Sequence, residues 1–218
     1  MKYKKILCEI SGGADSMLAT LLAIEKYVDY NIYGIIYSYG QAPYSNEYKC
    51  ATKFCLKNNI ILKEVKIDNL FISGTVIGEH IRENKKEVAD IYTPLRNLVF
   101  LSCSASYAES IGAESIIVGS KSLNFSSFDP YSFKDSTLPF YRIFEGLLNY
   151  VSYKKIRVEP ILMENRISKM TKKEVIQELY KRNYSVDDFY NCFNKNKKPN
   201  CQCNNCIEMR KILGEVIL

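Results

Sequence analysis

Apolar and polar positions follow two alternating periods along the first part of the chain. "KKILCEI" (4–10) is a short apolar run of strand type, and "SMLATLLAIEKY" (16–27) carries apolar residues at helical spacing. "NIYGIIYS" (31–38) is β-branched and aromatic, "NEYKCATKFCLKNN" (46–59) predicts a second helix, and "IILKEVKI" (60–67) a third strand. Residues 68–93 have no clear period and predict an irregular segment. "TPLRNLVFLSCSASYAESIG" (93–112) predicts a long helix with Pro94 near its first turn and Gly112 at its end, and "AESIIVGS" (113–120) a fourth strand. Strands alternating with helices imply parallel pairing through right-handed crossovers.

The second half keeps this pattern loosely. "KSLNFSSFDPYSFKDS" (121–136) predicts a polar and aromatic loop, "TLPFYRIFEGLLNYV" (137–151) a helix, and "KIRVEPIL" (155–162) an extended segment. In "TKKEVIQELYKRN" (171–183), Thr171 and Glu174 have capping-box spacing. No repeat or linker interrupts the chain. The expected fold is α/β, a doubly wound parallel sheet over 1–160, with a small helical, four-cysteine appendage over 161–218 belonging to the same compact unit.

Composition narrows the partners. With 47% apolar and 25% charged residues the chain is globular rather than disordered. A net charge of +6 suits an anionic ligand such as a nucleotide and is too diffuse to argue for nucleic acid. No stretch approaches the roughly 18 apolar residues of a membrane span, and "MKYKKILCEI" is too short in apolar residues for a secretory leader. A cytoplasmic protein without a membrane partner is expected. Cys8, Cys50, Cys55 and Cys103 are scattered through apolar segments, as small buried hydrophobes are. Cys192, Cys201, Cys203 and Cys206 crowd into the tail, which favours a metal over disulfides in a chain without a leader. A redox Cys-x-x-Cys pair and chance burial are the alternatives. Four thiolates around Zn²⁺ make a closed structural site, and Lys195, Lys197, Lys198 and Arg210 lie near enough in sequence to offset its charge.

The candidate chemistry begins at "SGGADS" (11–16), between the first strand and the first helix. Ligands of doubly wound sheets bind beyond the carboxyl ends of the strands. Gly12 and Gly13 can turn successive N–H groups toward one anion, the following helix adds its own amides and dipole, and Ser11 and Ser16 offer hydroxyls. Asp15 would repel a phosphate unless it caps the helix or binds a metal, which suggests Mg²⁺ nearby. The P-loop lysine and the three spaced glycines of a dinucleotide fingerprint are both missing. A plain strand-to-helix turn is the competing reading. Arg96 and Asn97 open the long helix near the strand ends, where an arginine can hold phosphate or carboxylate in a bidentate way, and Lys121 follows the fourth strand. His80, the single histidine, carries too weak a signal to be given a catalytic role.

"SGGADS" resembles the SGGxDS signature of the PP-loop ATP pyrophosphatase superfamily, which implies a cradle for the ATP phosphates, formed by Ser11, Gly12, Gly13, Ala14, Asp15 and Ser16. "YSYGQAPYSNEYKCA", with Tyr39, Gly40, Gln41 and Glu47, resembles the segment after the second strand in 7-cyano-7-deazaguanine synthases. "YTPLRNLVFLSCSASYAESIGAESIIVGS", "SLNFSSFDPYSF" and "CFNKNKKPNCQCNNCIEMR" resemble that family's YVPGRN-type helix, substrate loop and zinc-binding end. The likeness spans nearly the whole chain. It implies an AMP-forming carbon–nitrogen ligase that uses ATP, Mg²⁺ and ammonia to turn a carboxylate into an amide and then a nitrile, with 7-carboxy-7-deazaguanine as the acid. It further implies a homodimer, catalytic roles for Asp15, Ser16, Arg96 and Lys121, and nucleotide contacts from Tyr39 and Gln41. Substrate contacts would come from Arg96, Asn97, Asn124, Phe125, Phe128 and Asp129, and Zn²⁺ ligands from Cys192, Cys201, Cys203 and Cys206.

Three departures stand out. Asn124 replaces an aspartate and the YPDC element becomes Phe128, Asp129, Pro130, Tyr131; Leu95 stands where the family has glycine; and one residue rather than two separates Cys201 from Cys203. They leave open a related enzyme that acts on another carboxylate or stops at the amide. A PP-loop enzyme that modifies tRNA and a non-catalytic nucleotide-binding protein are the competing classes.

Overall fold

The computed structural model describes residues 4–71, 93–122, 133–163, 170–196, 198 and 200–216. The expectations for His80, Asn124, Phe125, Phe128 and Asp129 fall outside them. Five strands form one parallel sheet: β1 (Lys4–Glu9), β2 (Tyr30–Ser38), β3 (Ile61–Lys66), β4 (Ser115–Ile117) and β5 (Arg157–Glu159), in the order β3-β2-β1-β4-β5. The crossover helices are α1 (Ala14–Lys26), α2 (Tyr44–Lys57), α3 (Arg96–Ile111) and α4 (Leu138–Val151); α5 (Lys172–Lys181) and α6 (Asn204–Val216) complete the chain. The chain moves outward from β1 through β2 to β3, then returns to β4 on the other side of β1. The exits of β1 and β4 therefore flank the point where the winding reverses, the crevice in which such sheets bind ligands.

Strand alternation divides the core. Ile6, Cys8 and Ile10 face one layer, where they join Met17 and Leu18 of α1 and Val175 of α5. Leu7 faces the other layer with Leu101 of α3 and Phe144 of α4. Helices cover both faces, as parallel strands require.

Several boundaries differ from the pattern-based expectation. The long helix starts at Arg96, not near Pro94: Leu95 precedes it with φ 52°, a left-handed backbone that cannot extend the helix backwards. "KIRVEPIL" is a strand only over Arg157–Glu159, because Pro160 lacks the N–H that would continue the ladder and Ile161–Met163 turn as a 3₁₀ helix. At α5 the capping box forms in full, with Glu174 N donating to Thr171 Oγ1 at 3.2 Å and Thr171 N donating to Glu174 Oε2 at 2.6 Å. Met170 and Val175, on either side of it, are buried in one cluster, the arrangement of a hydrophobic staple. This cap fixes the direction in which α5 leaves the loop and so places Lys172.

Candidate active site

The cradle is held by close backbone contact. Gly12 has φ 74°, and a Cβ there would stand 2.2 Å from the Glu47 carbonyl oxygen in the first turn of α2. Only glycine meets both conditions. Ser11 N donates to Ser16 Oγ at 3.1 Å, and the Ser16 hydroxyl donates to Gly13 O at 2.9 Å, so the turn is closed by its own side chains. Gly13 caps α1 without a side-chain hydrogen bond, which leaves neither serine nor Asp15 as the cap. Gly119, at the exit of β4, is equally constrained: its Cβ would lie 2.8 Å from Ser16 Cα.

Asp15 lies between two ammonium groups. Lys172 Nζ donates to Oδ2 at 2.7 Å, and Lys121 Nζ stands 3.6 Å from Oδ1. Burial opposes ionisation of Asp15, but Lys172 and Lys121 outweigh it and hold the carboxyl below its ordinary range. Lys172 is a residue that sequence reasoning missed, since nothing in a helical period reports a partner 157 positions away. The cradle, Glu47, Lys172 and the segment 190–193 line a cleft of about 170 Å³. That is smaller than the roughly 300–1,000 Å³ of a small-molecule pocket and suits a phosphate chain better than a whole nucleotide.

A second group adjoins the cleft through Glu47. The Gln41 amide donates to Glu47 Oε2 at 3.2 Å and to Tyr37 O at 2.9 Å, and its own oxygen accepts from Tyr39 N at 2.8 Å. Gln41 thus pins the turn after β2, and burial pushes the Glu47 carboxyl up to about 7. Arg96 donates to Tyr39 Oη at 3.2 Å and lies over that ring, its guanidinium 5.8 Å from the centroid. The backbone N–H of Asn97 donates to Asp135 Oδ2 at 3.1 Å, so this buried carboxylate, in the turn Lys134–Ser136, caps α3 from a separate segment. Burial raises the pKa of Asp135. The expected residues therefore form two neighbouring groups, with Ser11–Ser16 and Lys121 in one and Tyr39, Gln41, Arg96 and Asn97 in the other.

The four tail cysteines converge. Their sulfurs all lie within 4.8 Å of one another, with Cys192 Sγ 3.6 Å from Cys201 Sγ and 3.9 Å from Cys203 Sγ. A tetrahedron with metal–sulfur bonds of about 2.3 Å has edges of about 3.8 Å, so this set fits one small ion. The short Cys201–Cys203 spacing does not keep Cys201 out of it. Asn194 Nδ2 donates to Cys201 Sγ at 3.3 Å, and Arg210 donates to Cys201 O at 2.8 Å. The hydrogen bond from Cys192 holds the Cys203 thiol below the ordinary thiol range, while burial pushes the Cys206 thiol up. The cluster is tied to the cradle: Tyr190 N donates to Gly12 O at 2.9 Å, and Asn46 of α2 donates to Lys195 O at 2.6 Å.

Comparison with known proteins gives the family and the fold. The sequence model of the family described as "Queuosine biosynthesis protein QueC" matches residues 5–216. A 7-cyano-7-deazaguanine synthase of Methanobrevibacter smithii is 28% identical over 225 residues, covering 97% of this chain and 93% of its own. One of Coxiella burnetii is 28% identical over 219 residues, covering 95% and 92%. Among solved structures, the U34-tRNA thiolase NcsA from Methanococcus maripaludis, with its 4Fe-4S cluster, has a TM-score of 0.52 at 14% identity over 99% of this chain and 67% of that one. A 4-thiouridine synthetase–RNA complex with bound ATP has a TM-score of 0.53 at 15% identity over 98% of this chain and 50% of that one. Likeness at these identities concerns the fold alone.

Proposed function

The chain belongs to the QueC family of queuosine biosynthesis, and from that premise we propose that it is an ATP-dependent, AMP-forming ligase that converts 7-carboxy-7-deazaguanine to 7-cyano-7-deazaguanine. The observation that carries the reading is the cradle at the β1 exit, where Gly12 admits no side chain, the Ser11 and Ser16 hydroxyls and Lys172 gather around one cleft, and Lys121 stands beside Asp15.

In this reading the substrate carboxylate attacks the α-phosphorus of ATP, pyrophosphate leaves, and ammonia displaces AMP to give the amide. The amide oxygen then attacks a second ATP, and loss of AMP leaves the nitrile. Ser11, Ser16 and the cradle amides hold the phosphates, and Lys172 and Lys121 offset the charge that builds on pyrophosphate. Arg96, beside Tyr39, faces the acid to be activated. Asp15 Oδ1 is a buried carboxylate oxygen that accepts no hydrogen bond from the described residues, with Lys121 Nζ at 3.6 Å as its ion-pair partner. It is a hard donor that would suit Mg²⁺, which when bound would supply charge neutralisation across the phosphates. Cys192, Cys201, Cys203 and Cys206 would hold Zn²⁺ in a structural role, since four thiolates leave no open position. A four-iron cluster sets a separate iron under each thiolate and asks for wider spacing than these sulfurs have.

The proposal includes a reducing, cytoplasmic setting, which four closely spaced thiols require. No helix of the described residues is long and apolar enough to cross a membrane. It also includes a homodimer, for which the outer face of α4 is suited: Ile143, Leu147 and Tyr150 are 74%, 56% and 88% exposed at helical spacing. Leu147→Glu should then yield a monomer in sedimentation. The decisive test is mass spectrometry of products from ATP, ammonium and 7-carboxy-7-deazaguanine. AMP, pyrophosphate and the nitrile are expected. ADP and phosphate would overturn the chemistry, and the amide as end product would restrict it to the first half.

A further inference from the structure

A half-buried acid stands directly ahead of the cradle. Glu9 ends β1 two residues before Ser11, on the face opposite α1, where it meets α3 and α4. Ser104 Oγ lies 2.7 Å from Glu9 Oε1, Tyr37 Oη lies 2.6 Å from Ser104 Oγ, and Tyr37 Oη lies 2.8 Å from Phe100 O. The titratable groups that sense Glu9 are Tyr37 from β2, Cys103 from α3 and Tyr141 from α4. None is a cation, and among the described residues no lysine or arginine pairs with Glu9. Its Oε2 takes no hydrogen bond from any described residue.

The three contacts can be counted in hydrogens. Tyr37 and Ser104 own one hydroxyl hydrogen each, and Phe100 O can only accept. With Glu9 ionised, two hydrogens serve three contacts and one is left unmade. With Glu9 protonated, Oε1 donates to Ser104, Ser104 to Tyr37 and Tyr37 to Phe100 O, so all three are satisfied. Burial also pushes Glu9 up to about 7, while a hydrogen bond from Ser104 to the ionised form works the other way. The count of hydrogens resolves that opposition in favour of the acid. This network makes Glu9 a stronger base than an ordinary carboxylate and stabilises the form it takes after gaining a proton.

On the reading that the chain makes its nitrile through an adenylated amide, we infer that Glu9 is a catalytic residue, the base that removes the nitrogen proton as AMP leaves. The step is R–C(O–AMP)=N–H plus the Glu9 carboxylate giving R–C≡N, AMP and the Glu9 carboxylic acid. The N–H electron pair becomes the third carbon–nitrogen bond, and the C–O pair departs with the phosphate oxygen of AMP. The proton returns to solvent before the next cycle. Asp15 is held by two lysines, Asp135 is engaged at the start of α3, and Glu47, the other carboxyl with a raised pKa, accepts from the Gln41 amide rather than from a hydroxyl relay. Sequence offered one signal: an acid directly after the apolar run of Ile6, Leu7 and Cys8.

The test supplies the amide and ATP directly and follows nitrile formation, with ATP–pyrophosphate exchange on the carboxylate measured alongside. Glu9→Gln should keep exchange within a few-fold of wild type and slow amide-to-nitrile conversion about 10²- to 10⁴-fold, so that amide accumulates from the acid. Nitrile formation near the wild-type rate, or equal loss of both activities, would overturn the assignment. Absence of exchange in the wild-type protein would instead refute the parent reading. Tyr37→Phe provides a second measurement. It removes the end of the chain and with it the preference for the protonated form, so the acid limb of the kcat profile should move down by about half to one pH unit. An unmoved limb would also overturn the assignment.

Discussion

Gly12→Ala is expected to damage both stability and turnover, and the size of the effect follows from geometry. The new methyl would stand 2.2 Å from Glu47 O, and ordinary contact begins near 3.4 Å, so the cradle and α2 must separate by about 1.2 Å. The blocking atom is a helix carbonyl, not the end of a flexible side chain. Left-handed backbone at a non-glycine residue costs about 1–2 kcal/mol, and overpacking a filled contact about 1–3 kcal/mol. The sum, about 2–5 kcal/mol, should lower Tm by roughly 4–20 °C in a chain of this length. A shift of this size in the phosphate cradle should also lower kcat/KM for ATP about 100-fold. Thermal denaturation and pyrophosphate release measure the two effects. Gly13→Ala is the control: Gly13 has φ −94°, and its Cβ would meet Ser11 Oγ at 3.4 Å and Tyr190 O at 3.8 Å, both ordinary contact. Its Tm should stay within about 2 °C of wild type, at a cost below ~1 kcal/mol. Wild-type stability in Gly12→Ala, or an equal loss in Gly13→Ala, would refute the argument.

Leu95→Gly should raise stability by about 1 kcal/mol, because Leu95 is exposed with φ 52° and gives up strain without losing a core contact; a lowered Tm would contradict this. Glu159 should make the fold acid-sensitive. Burial disfavours its charge, but hydrogen bonds from Lys26 at 2.7 Å and Tyr27 at 2.6 Å outweigh burial and depress its pKa. The stability this adds is complete above the ordinary glutamate value of about 4.3 and is lost as pH falls through the lower folded-state value. Glu159→Gln should flatten that acid limb of the stability curve, and an unchanged limb would remove Glu159 as its cause. Cys206→Ser should abolish the one metal ion per chain found by elemental analysis and lower Tm, while wild-type protein that is metal-free yet fully stable would exclude a structural ion.

Much of the fold was readable from periodicity, because each strand of the sheet carries an apolar run and each crossover a helical one. The capping box at Thr171 and Glu174 was readable too, being a local device of four residues. What escaped was long-range or conformational. Lys172 reaches Asp15 only because α5 packs on α1, and Asp135 caps α3 from a separate segment. The left-handed backbone at Leu95 leaves no mark in its own side chain; only the resemblance to a family with glycine there hinted at it. The relay of Glu9, Ser104 and Tyr37 joins three elements, each of which reads alone as ordinary core.

The hydrogen bond from Tyr190 to Gly12 and the ion pair of Lys172 with Asp15 also have a meaning in time. The cradle is synthesised before these two partners, which lie 157 or more positions later in the chain. At about 5–20 residues per second, the 157 positions between Asp15 and Lys172 take roughly 8–30 s to synthesise. Until then the nascent cradle has its internal serine hydrogen bonds and α2 but not Lys172 or Tyr190, and the sheet beneath it gains β4 and β5 within the same interval. Loop closure over such a span is entropically costly, so the cradle is among the last parts of the molecule to settle. On the proposed function, a chain that stalls before Lys172 and Tyr190 are made would lack a complete cradle and should not bind ATP.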